Sequence, residues 1–355
     1  MVMSIVRRRP LESNVALRRL AVCLLMLHLQ PTVMAALDDA TAHWIQMVLD
    51  RWRDACQKDF RLAEHPLPWM IFFDEGHAWH ISPDRKLIPP HRTLPRVLRF
   101  SGRAYDVFEV RNRSGVWVPG RAPISIEPKA VTMPYAGDTK TFFVMATPAL
   151  QQRALQTSET EDFRSFLIGL ALHELAHTRQ LPQVLSQVKR LQGRHRFPES
   201  VDDNIIQTTF ETNREFQSSY MEELKQLSTA VLASDIGSAR AQAAEGLRMI
   251  ERRRKRFFVG KYEGWSEMED VLLSLEGSAM WVQFQSALRL APKEQAWLDT
   301  LAILGQRTDA WSQSEGLGLF LLIDRFSPGW QQKFFGQDVP SPIETLREAL
   351  ARASP

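Results

Sequence analysis

The residues best equipped for chemistry lie in HELAHT at 173–178. On a helix, His173 and His177 are four apart, so their rings leave one face and can share one zinc ion. Glu174 is rotated from His173 by about 100°. It is badly placed to bind the same ion but well placed to reach a water that the ion activates, take its proton and pass it to a leaving group. An HExxH string arises by chance in about 1–2% of chains of this kind, so its context has to decide. Phe163, Phe166, Leu167, Ile168, Leu170 and Leu172 make the segment apolar on nearly every side, which predicts a buried helix. Two imidazoles and a carboxylate inside such a helix are costly without partners, and a metal supplies the partner.

Zinc used in this way takes three protein ligands and keeps one position open. Positions 180 and 183 are Gln, which excludes the short HExxHxxGxxH pattern. The third ligand is then expected to be a distant carboxylate. The best candidate is Glu276 in LEGSAMW at 275–281: Gly277, Ser278 and Ala279 are small enough to let its helix approach the zinc helix. Leu272, Leu275, Ala279 and Trp281 make this segment apolar too, so Glu276 also needs a partner. Glu263, Glu267, Glu269 and Asp270 are nearby competitors for the role. Tyr220, Tyr262 and His195 are candidates to stabilise a developing oxyanion, and the sequence does not choose among them.

The two segments resemble the gluzincins, zinc peptidases in which HExxH is followed by a glutamate on a later helix. The closer likeness is to bacterial branches whose second motif reads EGxAx-aromatic, matched by Glu276, Gly277, Ala279 and Trp281. The resemblance covers 163–180 and 270–283. Thermolysin-like members carry Asp four residues after the ligand glutamate, where this chain has Met280. The resemblance implies zinc, a peptide or protein substrate, and His173, His177 and Glu276 as ligands, with Glu174 as the catalytic base.

Other elements must hold these residues. Residues 40–62 read as an amphipathic helix, with Trp44, Val48, Trp52, Cys56 and Phe60 on one buried stripe. Between Trp69 and Thr147, short apolar runs punctuated by Asp, Gly and Pro predict a mostly antiparallel sheet, with Asp74-Glu75-Gly76 as a turn. Ser158 to Glu161 fits a capping box, followed by a helix over 161–180. Helices are expected near 200–232, 237–256, 266–290, 294–304, 312–325 and 341–352. The expected fold is α+β: a small, mostly antiparallel sheet packed on a largely helical metallopeptidase domain with a buried HExxH helix. The chain divides into a signal peptide at 1–36, an α/β part with strands at 37–150, and a helical part carrying the zinc site at 151–355.

The first 36 residues combine a basic start with an apolar run from Leu20 to about Leu29 and small residues near Ala35, the pattern of an export signal. The run is short for a membrane span, so the chain is expected to be periplasmic or secreted; an uncleaved anchor is the alternative. The segment holds five Arg and one Glu, which accounts for the net charge of +3 and removes any case for nucleic-acid binding. Only Cys56 remains beyond it, so no internal disulfide is expected there, and Cys56 reads as a core residue. His77 and His80 sit three apart on a strand and point to opposite faces, against a second metal site. The run Arg252–Arg256 reads as a solvated helix terminus. TFFVMAT at 141–147 is either a core strand or an edge for an extended peptide. Two other classes compete with the enzyme: a catalytically inactive peptide-binding relative, which would not need Glu174, and a structural envelope protein, which would not need the buried HELAHT helix.

Overall fold

A computed structural model describes residues 37–61, 67–82, 88–89, 91–135, 140–156, 161–198, 201–290, 310–336 and 339–352. The segment expected to be an export signal, the Ser158 end of the expected capping box and the whole of the helix expected at 294–304 lie outside these residues. The architecture is mixed α+β, with one six-stranded, mostly antiparallel sheet against a set of helices.

Asp38 caps α1 (Asp39–Asp54) by accepting from the Thr41 amide, and the helix closes in a wider π-type turn over Ala55–Asp59. The expected stripe of Trp44, Val48, Trp52, Cys56 and Phe60 is buried along its length. The strands are β1 (Trp69–Phe73), β2 (His77–Ile81), β3 (Arg92–Phe100), β4 (Arg103–Arg111), β5 (Ala130–Tyr135) and β6 (Lys140–Ala146). Their spatial order is β3-β4-β2-β1-β6-β5, and every pair is antiparallel except β1–β6. Asp74 makes the β1–β2 turn, its Oδ1 accepting from the amides of Gly76 and His77. Strand β1 is buried on both faces, which is why WMIFF is apolar throughout instead of alternating. Met70 and Phe72 face the helices, while Trp69, Ile71 and Phe73 face a second core closed by Val116, Val118 and Leu150 of α2 (Pro148–Leu155).

Helix α3 runs from Glu161 to Arg194, well past the expected end near 180 and through Pro182. A proline removes one helical hydrogen bond, but packing along the whole rod keeps it continuous. It lies antiparallel to α7 (Trp265–Leu290): Gly169 meets Gln283, Gln180 meets Ser278, and Arg194 meets Glu267. The segment expected as one helix at 200–232 is split into α4 (Ile205–Phe210) and α5 (Arg214–Leu232), because Asn213 caps the second piece. The remaining helices are α6 (Ile236–Phe257), α8 (Trp311–Phe326), α9 (Gln331–Phe334) and α10 (Pro342–Arg352). One apolar core joins Trp44, Phe72 and Phe143 to Leu167, Ala171, Leu273 and Leu322, so sheet and helices pack on a common centre.

The basic run at the end of α6 differs from expectation. Arg252 and Arg256 are exposed, but Arg253 is fully buried among Glu223, Glu269 and Glu315. Carboxylates from α5, α7 and α8 converge on that turn, and a buried guanidinium satisfies them together.

Candidate metal centre

The sheet holds α3 in place at the turn that carries the motif. The Thr132 hydroxyl of β5 donates to the Glu174 carbonyl at 2.6 Å, and Thr141 of β6 donates to the Thr178 carbonyl at 2.9 Å. On the other side α7 is locked to α3 through Gln180, whose Nε2 donates to Ser278 Oγ at 2.7 Å. Gly277 was expected to face the zinc helix, but it faces α8 instead. A Cβ there would lie 2.6 Å from the Gly316 backbone. The small residues of 277–279 thus serve two neighbours: Ser278 takes the contact with α3, and Gly277 brings α8 close.

These constraints bring His173, His177 and Glu276 together, all three buried. The two Nε2 atoms are 3.0 Å apart, and each lies 3.4 Å from one oxygen of Glu276. Donors bound tetrahedrally at about 2.0–2.1 Å from one ion lie about 3.3–3.4 Å from each other. The imidazoles reach different oxygens of Glu276, and the three residues lie close enough together to hold one metal ion. Glu276 Oε1 is buried with no hydrogen-bond partner, an atom that a cation would satisfy. This is the one such group of three among the described residues.

Burial and charge set the protonation states. Burial, reinforced by His173, pushes His177 down to about 3 and so keeps its lone pair available. Burial acts the same way on His173, but the hydrogen bond and charge of Glu276 outweigh it and the pKa is raised. A proton on His173 would therefore compete with a metal held there. Burial opposes the charge on Glu276, yet the two histidines and Gln313 hold its pKa below the ordinary value. Glu174 is pushed up to about 7 by burial, against the pull of His173. That value suits a group that accepts a proton and returns it near neutral pH.

The competitors for the third position are engaged elsewhere. Glu269 and Asp270 pair with Arg253 and Arg254, and Glu267 pairs with Arg194. Glu263 follows a short 3-10 turn and is not part of the cluster. The three candidate oxyanion donors also have other partners. Tyr220 donates to the Trp311 carbonyl, Tyr262 packs on Phe210 and Trp265, and His195 lies 3.5 Å from Glu267. His80 is a buried core residue that accepts from Trp69 Nε1, and burial lowers its pKa to about 3.

Two residues emerge here that the sequence did not single out. Gln313 of α8 donates to Glu276 Oε2 at 3.1 Å. Asp203 is buried and pushed up to about 7, first by burial and then by the charge of Glu276; it lines a small cavity with Tyr220, Glu269 and Glu315. The one available signal was a polar residue inside an apolar helix, as Gln313 is in WSQSEGLGLF.

Comparison with known proteins finds no matching family model, no matching curated protein and no matching solved structure. Among the described residues, no helix is long and apolar enough to cross a membrane.

Proposed function

We propose that this chain is a metal-dependent hydrolase, and within that class a zinc peptidase of gluzincin type. The observation that carries the reading is the triangle of His173, His177 and Glu276, with a separate acid, Glu174, beside it on the same helix. Two imidazoles and one carboxylate favour zinc over the harder, oxygen-preferring cations. The bound ion would supply Lewis acidity, making a water more acidic and a carbonyl more electrophilic.

The chain's own residues do the rest. His173, His177 and Glu276 hold the ion, and Glu174 takes the proton of the attacking water and returns it to the leaving amine. Its proton affinity, close to neutral, serves both halves of that transfer. A peptide substrate is favoured by the sheet. Strand β5 is an edge strand tied to α3 through Thr132, and an extended chain can add to such an edge beside the site. The alternative edge, TFFVMAT, is excluded because β6 is paired on both sides. The signal-like first 36 residues support a periplasmic or secreted setting for this activity.

The test is Glu174→Gln, with zinc content and peptide cleavage measured together. The variant should keep its zinc and lose about a thousand-fold in cleavage rate. Cleavage at the parental rate contradicts the reading. A parent that binds zinc without any hydrolysis points to the binding-protein alternative.

A further inference from the structure

The two oxygens of Glu276 are in unequal surroundings. Oε2 accepts from Gln313 Nε2 at 3.1 Å and lies 3.4 Å from His173 Nε2. Oε1 is buried without a hydrogen-bond partner and lies 3.4 Å from His177 Nε2. The cause of this asymmetry is the crossing of α7 and α8. Neither Gly277 nor Gly316 has a Cβ, and a Cβ on either would come within 2.6 Å of the other's backbone. The two helices therefore touch backbone to backbone one residue from Glu276. Gln313 precedes Gly316 by three residues, so it leaves α8 on the same face and meets the carboxylate.

The chemistry of the donor matters as much as its position. An amide orients a carboxylate without cancelling its charge, whereas a guanidinium would cancel it, as Arg253 does for Glu269. Gln313 is itself buried, so this hydrogen bond is shielded from water.

We infer that Gln313 is a positioning residue for the metal centre: by holding Oε2 it fixes the plane of the Glu276 carboxylate and leaves Oε1, the oxygen without a hydrogen bond, as the one that would meet an ion. The inference rests on the metal-centre reading above. Without the amide, the carboxylate is free to turn about its terminal bond and offer both oxygens. Loss of a partner of this kind lowers metal affinity by about ten- to a hundred-fold.

The test uses the full mature chain and zinc alone as probe. Gln313→Met keeps the length and most of the volume of the side chain but cannot donate. Competition against a chromophoric chelator should give a zinc affinity about ten- to a hundred-fold weaker than the parent's, with the metal-free unfolding midpoint close to the parent's. A crystal structure of the zinc-loaded parent should show Oε1 bonded to the ion and Oε2 still on Gln313. That structure decides the matter alone if the variant fails to fold. Equal affinities for variant and parent, or both oxygens bonded in the parent, overturn the role of Gln313 and leave the metal centre standing. A parent that takes up no zinc overturns the metal centre and this inference with it.

Discussion

Helix α7 carries two buried glutamates, Glu269 and Glu276, two turns apart on one face and roughly 10 Å from each other. Their surroundings are opposite in kind. Glu269 accepts from Arg253 and Arg254, both at 2.7 Å, and Arg253 also reaches Glu223 and Glu315. Glu276 meets two imidazoles and a neutral amide. A guanidinium is a permanent cation, so the first cluster carries fixed counter-charge for as long as the chain is folded. An imidazole carries charge only when protonated, so the second cluster needs an exchangeable cation, either a proton or a metal. The same residue type on the same helix is thus tied into an ion-pair cluster at one position and set beside two imidazoles at the other, and the neighbouring helices make the difference.

The largest effect should come from removing the permanent cation. Arg253→Met leaves Glu223, Glu269 and Glu315 buried without their shared partner. It should cost about 3–5 kcal/mol in denaturant unfolding, with or without zinc. An equal loss from Glu276→Gln in metal-free protein would break the comparison, since Glu276 should matter to stability chiefly through its metal.

A smaller effect is expected where α7 and α8 touch. Gly277→Ala places a methyl against the Gly316 backbone and should cost about 1–3 kcal/mol. It should also weaken zinc binding, because α8 carries Gln313 away as it yields. A loss of stability with zinc affinity unchanged would separate the crossing from the site.

The smallest concerns pH. Burial raises Glu315 to about 8 in the folded chain, against the opposing charge of Arg253, from an unfolded value of 4.5. Between those values the folded state binds the extra proton, so the contribution to stability is full below about pH 4.5 and is lost as pH rises to about 8. Glu315→Gln should therefore gain on the parent as pH rises from 5 to 8 in chelator-treated protein. A variant that falls behind the parent over that window would mean that Glu315 is ionised in the folded state.

How far the sequence reached differs between the same two regions. His173, Glu174 and His177 were legible because helical spacing alone puts two rings on one side, and Glu276 because a lone acid in an apolar segment demands a partner. The strand texture of 69–147 was legible from its short apolar runs. The order of strands was not, since which edge is free depends on pairings distant in sequence, and it is β5 that lies at the edge beside α3. The Arg253 cluster was misread as a solvated terminus, because a run of basic residues at a helix end has the same pattern whether three carboxylates converge on it or none do. The helix expected over 161–180 continues through Pro182 to Arg194, held by packing along its length. Gln313 stood out only as a polar residue in an apolar helix; its partner comes from a Gly–Gly crossing between helices that no local pattern announces.

The central claim is that Glu276 completes a metal site with His173 and His177. Zinc stoichiometry of the purified mature chain, measured by elemental analysis on parent and Glu276→Gln prepared without added metal, tests it most directly. The parent should carry close to one zinc per chain, and the variant should hold it far more weakly, losing it to a chelator that leaves the parent loaded. A parent with less than about a tenth of an equivalent that does not respond to added zinc, or a variant that holds zinc as tightly as the parent, would contradict the account.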